Sequence, residues 1–237
     1  MKVGIDTFGC DSGRSGHGSY LSSLINALPD DSSLSWELFG SEIDRYTYTE
    51  EKGLPFTSVQ LPDSLNMERL WHIFRCNSFS KKRSYDAVLY AAGPQLLPLG
   101  YRRPGVVIVN DVLSSFMESE DSGFYKSLLV KSLSRADCVV AGSEFIRQDM
   151  EKCRIKTRRL EVVYSGIDHG TFTHIGKSES DVVDIKPFAI KKPYLIYPSR
   201  MQGAAKKHVE LIKAFSFFKD KTGLPHRLVI AGSEGPE

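Results

Sequence analysis

The sequence predicts an α/β protein that consists of a doubly wound parallel sheet followed by the first βαβ unit of a second domain. Short apolar runs alternate with segments of helical periodicity over about 165 residues, which is typical of a parallel sheet covered by helices on both faces. The same alternation resumes at Tyr194 after a polar stretch. Hydrophobic residues make up 41% of the 237 residues and charged residues 25%, so the chain has enough apolar material for a globular core.

Strands and helices are predicted in alternation along the first part of the chain. The predicted strands lie at residues 2–6, 36–40, 58–61, 87–90, 106–109, 138–141 and 160–164. Helices are predicted at residues 18–28, 66–76 and 124–133, and a further helix begins after Ser143. In the first helix, apolar residues recur at the i, i+3, i+4 and i+7 positions from Leu21 to Leu28, which indicates one buried face. The hydroxyl of Ser143 is suited to cap the last helix.

The chain divides into three predicted parts. Residues 1–170 form the first domain, residues 171–190 a polar connection, and residues 191–237 the start of a second domain. The second domain is predicted to contain a strand at residues 194–197, a helix at residues 207–218 and a strand at residues 227–231. The expected core face of that helix consists of Leu211, Ile212, Phe215 and Phe218. One βαβ unit buries too little apolar surface to be stable alone, so we expect it to pack on the first domain or to belong to a longer protein.

Charge and cysteine content limit the class of protein. The net charge of +2 is too balanced to indicate a nucleic-acid partner, and clusters such as Lys81, Lys82 and Arg83 are interpreted as solvated surface. The four cysteines have no metal-ligand spacing, so free thiols in a reducing cytosol are expected. The chain begins directly with a strand rather than a signal region, and it has no apolar run of the ~20 residues that a membrane span requires.

The clearest candidate site follows the strand at residues 194–197. Ser199 and Arg200 come directly after this strand, and a short glycine- and alanine-containing loop leads to Lys206 and Lys207 at the start of a helix. The carboxyl ends of parallel strands and the first turns of helices are where α/β proteins bind anions. Cations at a helix N-terminus are disfavoured by the helix dipole, which favours an anionic ligand over a merely exposed basic turn.

A second candidate site is the Gly16-His17-Gly18 sequence after the first strand. Glycines allow a ligand to approach the backbone, and the helix that follows offers free N–H groups to an anion. A dinucleotide fingerprint would require a third glycine where Leu21 stands, so the motif is weak support for a nicotinamide site. A tight strand-to-helix turn without a ligand explains the motif equally well.

A third candidate is Asn110-Asp111, at the carboxyl end of an apolar strand. Asp111 can orient a substrate hydroxyl there, or it can cap the next segment, and position alone does not distinguish the two. The six histidines show no metal-ligand spacing, so no metal is expected. His72 lies on an apolar helix and is interpreted as a core or boundary residue.

The helix at residues 66–76 carries Leu70, Trp71, Ile73 and Phe74 and is followed by a basic cluster. Such a helix can lie on an anionic membrane surface. Packing against the sheet is the commoner role for an apolar stripe and is favoured here.

Five segments, taken in order, resemble retaining glycosyltransferases of the GT-B fold that use nucleotide sugars, in the group 1 or family 4 type that contains many mannosyl- and glucosyltransferases. The segments are GHGSYLSSLINAL, VIVNDVLSSF, SRADCVVAGSEFIRQDM, VVYSGIDHGTF and YLIYPSRMQGAAKKHVELIKAF. The resemblance covers nearly the whole chain. It implies two Rossmann-like domains, of which the first binds the acceptor and the second the nucleotide sugar.

The resemblance also implies roles for individual residues. Arg200 and Lys206 would neutralise the donor diphosphate, with Gly16 and Gly18 nearby, and Asn110 and Asp111 would be catalytic. The residues implied on the acceptor side of the cleft are His17, Ser143 and Glu144, and those implied in the turn between the domains are Gly166 and Asp168. No cofactor or metal is implied, since the GDP- or UDP-linked sugar is a substrate.

Three departures from the family pattern bear on activity. Asn110 replaces the histidine that is frequent at this position and cannot carry a proton, and Ser165 replaces an asparagine. The two glutamates, seven residues apart, that the family places later in its donor domain are absent from these 237 residues.

We therefore expect hexose transfer to a glycan or a lipid-linked acceptor in cell-surface polysaccharide synthesis, in the cytoplasm or at the inner face of the membrane, with little turnover by this chain alone. A noncatalytic acceptor-binding or assembly module is the alternative, and a Rossmann-type oxidoreductase is a weaker one.

Overall fold

A computed structural model describes residues 1–50, 52–93, 96–118, 123–174, 182–185, 187–201 and 206–233. The chain forms two compact units, Met1–Asp168 and His169–Glu237.

A seven-stranded parallel sheet is the centre of the first unit. Its strands are β1 (Lys2–Asp6), β2 (Ser35–Gly40), β3 (Phe56–Ser58), β4 (Ala87–Tyr90), β5 (Gly105–Val109), β6 (Cys138–Ala141) and β7 (Leu160–Val162). Their spatial order is β3-β2-β1-β4-β5-β6-β7. The chain therefore moves outward in one direction from β1 to β3 and in the other direction from β4 to β7. The point of reversal, between β1 and β4, is where open α/β sheets bind ligands at their carboxyl edge.

Helices connect these strands in sequence. They are α1 (Gly16–Asn26), α2 (Glu42–Tyr48), α3 (Leu65–Phe74), α4 (Cys76–Lys82), α5 (Leu113–Glu118), α6 (Gly123–Arg135) and α7 (Glu144–Lys152). Six of the seven predicted strands are confirmed within two residues, a normal uncertainty for element ends, whereas the strand predicted at residues 58–61 lies at Phe56–Ser58 and shares only Ser58 with the prediction. The helices α2, α4 and α5 are not predicted by the sequence pattern, because six or seven residues are too few to establish an apolar period.

The core of the first unit consists of two apolar clusters. Leu21 and Ile25 of α1 belong to one, and Val139 and Met150 to the other. The four cysteines are free thiols, as predicted, and Cys10 and Cys76 are buried.

A buried carboxylate on β2, that of Glu37, forms ion pairs and hydrogen bonds with side chains from other parts of the first unit. Glu37 of β2 forms ion pairs with Lys2, at 2.6 Å, and with Arg83. Its carboxylate also accepts hydrogen bonds from the hydroxyls of Thr57 (2.7 Å) and Tyr85 (3.0 Å). The interpretation of Arg83 as merely solvated is therefore wrong, because its guanidinium compensates a carboxylate that is 3% exposed.

The second unit contains two small sheets and a helix. β8 (Val182–Ile185) and β9 (Phe188–Lys191) pair antiparallel, whereas β10 (Tyr194–Pro198) and β11 (Arg227–Ala231) pair parallel and are connected through α8 (His208–Thr222). The sequence analysis predicts the βαβ part and misses the hairpin of β8 and β9. None of the described side chains in this unit is fully buried. The predicted core position of Ile212 is wrong, since this residue is 51% exposed.

Candidate functional site

Three residues from different connections meet at the carboxyl edge of the first sheet. His17 lies in the first turn of α1, after β1; Gly93 follows β4; and Asp111 follows β5. These strands are neighbours around the point where the strand order reverses. The sequence analysis selects His17 and Asp111 as separate candidates, and the fold brings them together.

The imidazole of His17 lies beside the carboxylate of Asp111. The distance from His17 Nε2 to Asp111 Oδ2 is 3.2 Å. The two groups do not align as a hydrogen bond, and Nε2 has no hydrogen-bond partner among the described residues. The side chain of His17 is 20% exposed and that of Asp111 50%, and His17 Nε2 itself is buried. A histidine beside a carboxylate is an arrangement that can orient or deprotonate a hydroxyl.

Gly93 allows this pair to form. Its backbone has φ = +71°, in the left-handed region that favours glycine. A Cβ atom at this position would lie 3.1 Å from His17 Nε2 and 3.3 Å from Asp111 Oδ2. The sequence analysis does not select Gly93. Its position just after a predicted strand, like that of the other candidates, is the signal that could have identified it.

The structure argues against the capping role for Asp111. The backbone N–H of Ser114, in the first turn of α5, donates to Asp149 Oδ2 at 2.9 Å. Within the described ranges, Asp111 accepts no backbone hydrogen bond, so Asp149 rather than Asp111 binds the start of α5. The carboxylate of Asp111 faces His17 instead.

The two glycines of the first motif have different environments. Ser15 caps α1 by accepting a hydrogen bond from the Gly18 N–H at 3.1 Å. A Cβ on Gly18 would lie 2.2 Å from the carbonyl oxygen of Cys10, so packing alone requires glycine there. A Cβ on Gly16 would meet no atom within 4 Å, so packing within the chain does not explain this glycine.

Asn110, Ser143 and Glu144 lie at the ends of β5 and β6. A Cβ on Gly142 would come within 2.0 Å of Asn110 Oδ1, so the amide packs directly on the backbone after β6. Ser143 caps α7, as predicted, by accepting a hydrogen bond from the Ile146 N–H at 3.2 Å. Glu144 forms an ion pair with Arg147, whose guanidinium lowers the pKa of this carboxyl.

A cleft of about 700 Å³, which the sequence analysis does not identify, opens at the same sheet edge. The segments after β1, β2 and β3 line it together with the start of α3. Its carboxylates are Asp11, Glu42, Asp44, Asp63 and Glu68. Asp44 accepts hydrogen bonds from two hydroxyls of the chain, those of Thr7 and Ser12, and burial raises the pKa of Glu68. Such a lining offers many hydrogen-bond acceptors to a ligand rich in hydroxyl groups.

The second unit presents its own candidate site after β10. Ser199 Oγ and His208 Nε2 are joined by a hydrogen bond of 2.9 Å, and the Tyr197 hydroxyl donates to the carbonyl oxygen of Lys206 at 2.9 Å. These bonds fix the start of α8 beside the end of β10. The Lys206 side chain is exposed and Arg200 is partly exposed. The loop at residues 202–205 lies outside the described residues.

The other candidates of this region have simpler environments. Lys207 Nζ lies 4.0 Å from Glu210 Oε1, so part of its charge is compensated by the helix itself. Gly166 and Asp168 lie in the last residues of the first unit. A Cβ on Gly166 would meet no atom within 4 Å, so packing does not require glycine at this position.

The described residues contain no group of three or more histidine, cysteine or acidic side chains able to hold a metal ion. No helix in the described part of the chain is both long and apolar enough to cross a bilayer.

The fold and the family together define a glycosyltransferase. The chain belongs to glycosyltransferase family 4, whose family model matches residues 16–171. No curated protein sequence matches the chain significantly.

Solved structures share the fold at low sequence identity. HepE (Alr3699) of Anabaena, crystallised with UDP and glucose, has a TM-score of 0.56 and 16% identity, over 99% of this chain and 70% of HepE. Sucrose-phosphate synthase of Thermosynechococcus elongatus has a TM-score of 0.64 and 12% identity, over 100% of this chain and 63% of the synthase. UGT89C1 of Arabidopsis thaliana, crystallised with UDP, has a TM-score of 0.54 and 12% identity, over 100% of this chain and 71% of UGT89C1.

These likenesses establish the fold class. The seven-stranded parallel sheet with its flanking helices matches the Rossmann-like architecture of GT-B glycosyltransferases, as the sequence predicts.

Proposed function

We propose that the protein transfers a hexose from a UDP- or GDP-linked donor to a hydroxyl of a glycan or lipid-linked acceptor during cell-surface polysaccharide synthesis. The observation that carries this proposal is the pairing of His17 with Asp111, 3.2 Å apart at the sheet edge of a family 4 chain. Retention of the anomeric configuration is proposed from the family resemblance alone.

The acceptor side of the reaction is assigned to the first unit. His17 Nε2 has no hydrogen-bond partner among the described residues and can bind the attacking hydroxyl, while Asp111 orients the imidazole and balances a positive charge on it. The carboxylates of the 700 Å³ cleft accept hydrogen bonds from further hydroxyls of the acceptor. Asn110 is proposed to support this edge through its contact with Gly142 rather than to transfer a proton.

The donor side is assigned to the second unit. Arg200 and Lys206 follow β10 and precede α8, a position that suits a diphosphate. Both cations stabilise the leaving nucleoside diphosphate as negative charge develops on it. The UDP complexes of HepE and UGT89C1 make UDP the first nucleotide to test.

We also propose that this chain alone has little or no turnover. The second unit has no fully buried side chain among its described residues, and the chain spans 63–71% of the three solved neighbours. The same observations favour the second candidate function, a noncatalytic module that binds the acceptor without transferring sugar to it.

The four free thiols and the use of nucleotide sugars support a cytoplasmic protein, and we propose that it works at the inner face of the membrane. The acceptor is presented there if it is lipid-linked.

The test is sugar transfer by the full-length protein, measured by mass spectrometry with UDP-glucose, UDP-galactose and GDP-mannose against lipid extracts and oligosaccharides. Transfer that is lost in a His17→Ala variant supports the proposal. Acceptor binding without transfer from any donor supports the binding module and refutes the enzymatic assignment.

A further inference from the structure

The outward face of α3 is apolar. Met67, Leu70 and Phe74 are 38%, 46% and 69% exposed. Their spacing of three and four residues aligns them in one stripe along the helix. A contiguous exposed apolar stripe indicates an interaction surface, whereas single exposed apolar residues are normal on protein surfaces.

The opposite face of α3 packs into the core of the first unit. Trp71 packs against the apolar cluster that contains Val139 and Met150. His72 is fully buried beside Asp6. The sequence-based expectation that this helix packs on the sheet is therefore confirmed for one face. That packing leaves the stripe of Met67, Leu70 and Phe74 unexplained.

Cations predominate around this stripe. From residue 65 to residue 82 the chain has four basic residues, Arg69, Arg75, Lys81 and Lys82, and one acidic residue, Glu68. Glu68 lines the 700 Å³ cleft and is partly buried, so its carboxylate does not belong to the outward face.

The loop at residues 100–103 adds two further cations next to α4. The side-chain amide of Asn77, in α4, donates to the carbonyl oxygen of Gly100 at 2.6 Å, and its oxygen accepts from the Arg102 N–H at 2.9 Å. These two bonds fasten Arg102, and with it Arg103, to α4.

An exposed aromatic ring borders α3 on its other side. Arg69 lies 4.7 Å from the centre of the Tyr125 ring, which places the start of α6 beside α3. The adjacent Phe124 is 65% exposed.

We propose that the stripe of Met67, Leu70 and Phe74, with the cations of α4 and of the loop at residues 100–103, docks on an anionic lipid bilayer. The apolar side chains enter the boundary between headgroups and acyl chains, and the cations bind the headgroup phosphates. A second copy of the chain is the less suitable occupant, because a symmetric contact would bring two cationic surfaces together.

The docking surface deepens the proposed function and rests on it in one respect, since a lipid-linked acceptor is found at a membrane. Vesicle binding is measured without donor or acceptor, so it succeeds or fails independently of sugar transfer.

The test is flotation of the 237-residue chain with vesicles of phosphatidylcholine alone or mixed with phosphatidylglycerol. We expect binding to the mixed vesicles, weakened by high salt. The double variant Leu70→Ser/Phe74→Ser should bind about tenfold more weakly or worse, and so should Lys81→Glu/Lys82→Glu. The matched control is Tyr46→Ser, which changes an aromatic residue that is 73% exposed on α2 and should bind like the parent chain.

Three results would overturn the proposal. They are no binding to the mixed vesicles, equal binding by Leu70→Ser/Phe74→Ser at unchanged thermal stability, and a dimer in solution that the same double variant dissociates. The last result would assign the stripe to a second copy of the chain.

Discussion

His72 Nε2 lies 2.7 Å from Asp6 Oδ2, and both side chains are sealed from solvent. The other ring nitrogen, Nδ1, lies 2.7 Å from the carbonyl oxygen of Glu68, which can only accept a hydrogen bond, so Nδ1 carries a hydrogen. Asp6 Oδ1 accepts from the Phe8 N–H at 3.0 Å. The pair therefore fastens α3 to Asp6, the last residue of β1.

Replacing His72 by leucine should destabilise the first unit by about 3–5 kcal/mol, because it leaves the buried carboxylate of Asp6 without its partner. The measurement is the free energy of unfolding in urea. The double variant Asp6→Leu/His72→Leu should recover part of the loss. If His72→Leu costs no more than an exposed change such as His174→Ala, the pair does not anchor α3.

The same pair gives stability a pH dependence. Burial opposes protonation of His72, but the carboxylate of Asp6 and the hydrogen bond to Glu68 outweigh it and raise the pKa of His72 above its ordinary value. The stabilising contribution is therefore complete below the unfolded-state pKa of about 6.5 and is lost as the pH rises through the folded-state pKa. The difference in unfolding free energy between the parent chain and Asp6→Leu/His72→Leu, which lacks both groups, should shrink as the pH rises above about 6.5.

Glu37 should determine part of the loss of stability in acid. Burial alone would raise the pKa of this carboxyl, but hydrogen bonds from Lys2, Thr57, Arg83 and Tyr85 outweigh burial and lower it below its usual value of 4.5. Its contribution is present above that value and is lost as the pH falls through the lower folded-state pKa. Urea unfolding between pH 6 and pH 3 should show a smaller loss of stability in Glu37→Gln than in the parent chain, and an unchanged slope would contradict this role.

Replacing His17 by alanine should lower sugar transfer by the full-length protein roughly a hundredfold or more, because the acceptor hydroxyl loses the group that binds and deprotonates it. Asp111→Asn keeps the shape of the side chain and should reduce kcat by a smaller factor. His174→Ala is the matched control, since His174 is exposed and lies outside both candidate sites. Wild-type turnover by His17→Ala would remove the residue from the mechanism.

Gly93→Ala should impair activity through crowding of the His17–Asp111 pair. The new Cβ would approach both groups to 3.1–3.3 Å, and the positive φ adds about 1 kcal/mol or more of strain. Enzyme kinetics and thermal unfolding of Gly93→Ala together distinguish a loss of activity from a loss of stability. Gly123→Ala, where the added Cβ meets no atom within 4 Å, should lower neither quantity, whereas a fully active Gly93→Ala would show that the pair tolerates displacement.

Nucleotide binding should depend on the cations after β10. Arg200→Ala and Lys206→Ala should each weaken UDP binding about tenfold, as expected for the loss of one charge-assisted contact to a phosphate. Isothermal titration calorimetry gives these affinities directly. Lys213→Ala, an exposed change further along α8, is the control, and equal losses in all three variants would indicate unspecific attraction rather than a diphosphate site.

The order of the strands along the chain can be predicted from the sequence, because each apolar run is long enough for a buried strand. The cap at Ser143 and the buried position of His72 follow from residue type and neighbours alone. The partner of His72 does not, since Asp6 is 66 residues away and no local pattern specifies a contact at that distance.

For the same reason, the sequence predicts residues of the candidate site separately but not their contact. His17 and Asp111 each follow an apolar strand, but their meeting depends on β1, β4 and β5 being neighbours in the sheet. The sequence does not identify Gly93, because its importance lies in the space that a residue without a side chain leaves for His17 and Asp111. The ion pair of Arg83 with Glu37 was missed because a basic cluster in sequence gives no indication of a buried carboxylate on another strand.

All fully buried side chains in the described part of the chain belong to the unit Met1–Asp168. Substitutions after Asp168 therefore change no fully buried side chain among the described residues, so the two halves can diverge at different rates. With the donor assigned to the second unit as proposed, a lineage can exchange one nucleotide sugar for another while it keeps the buried core of the first unit.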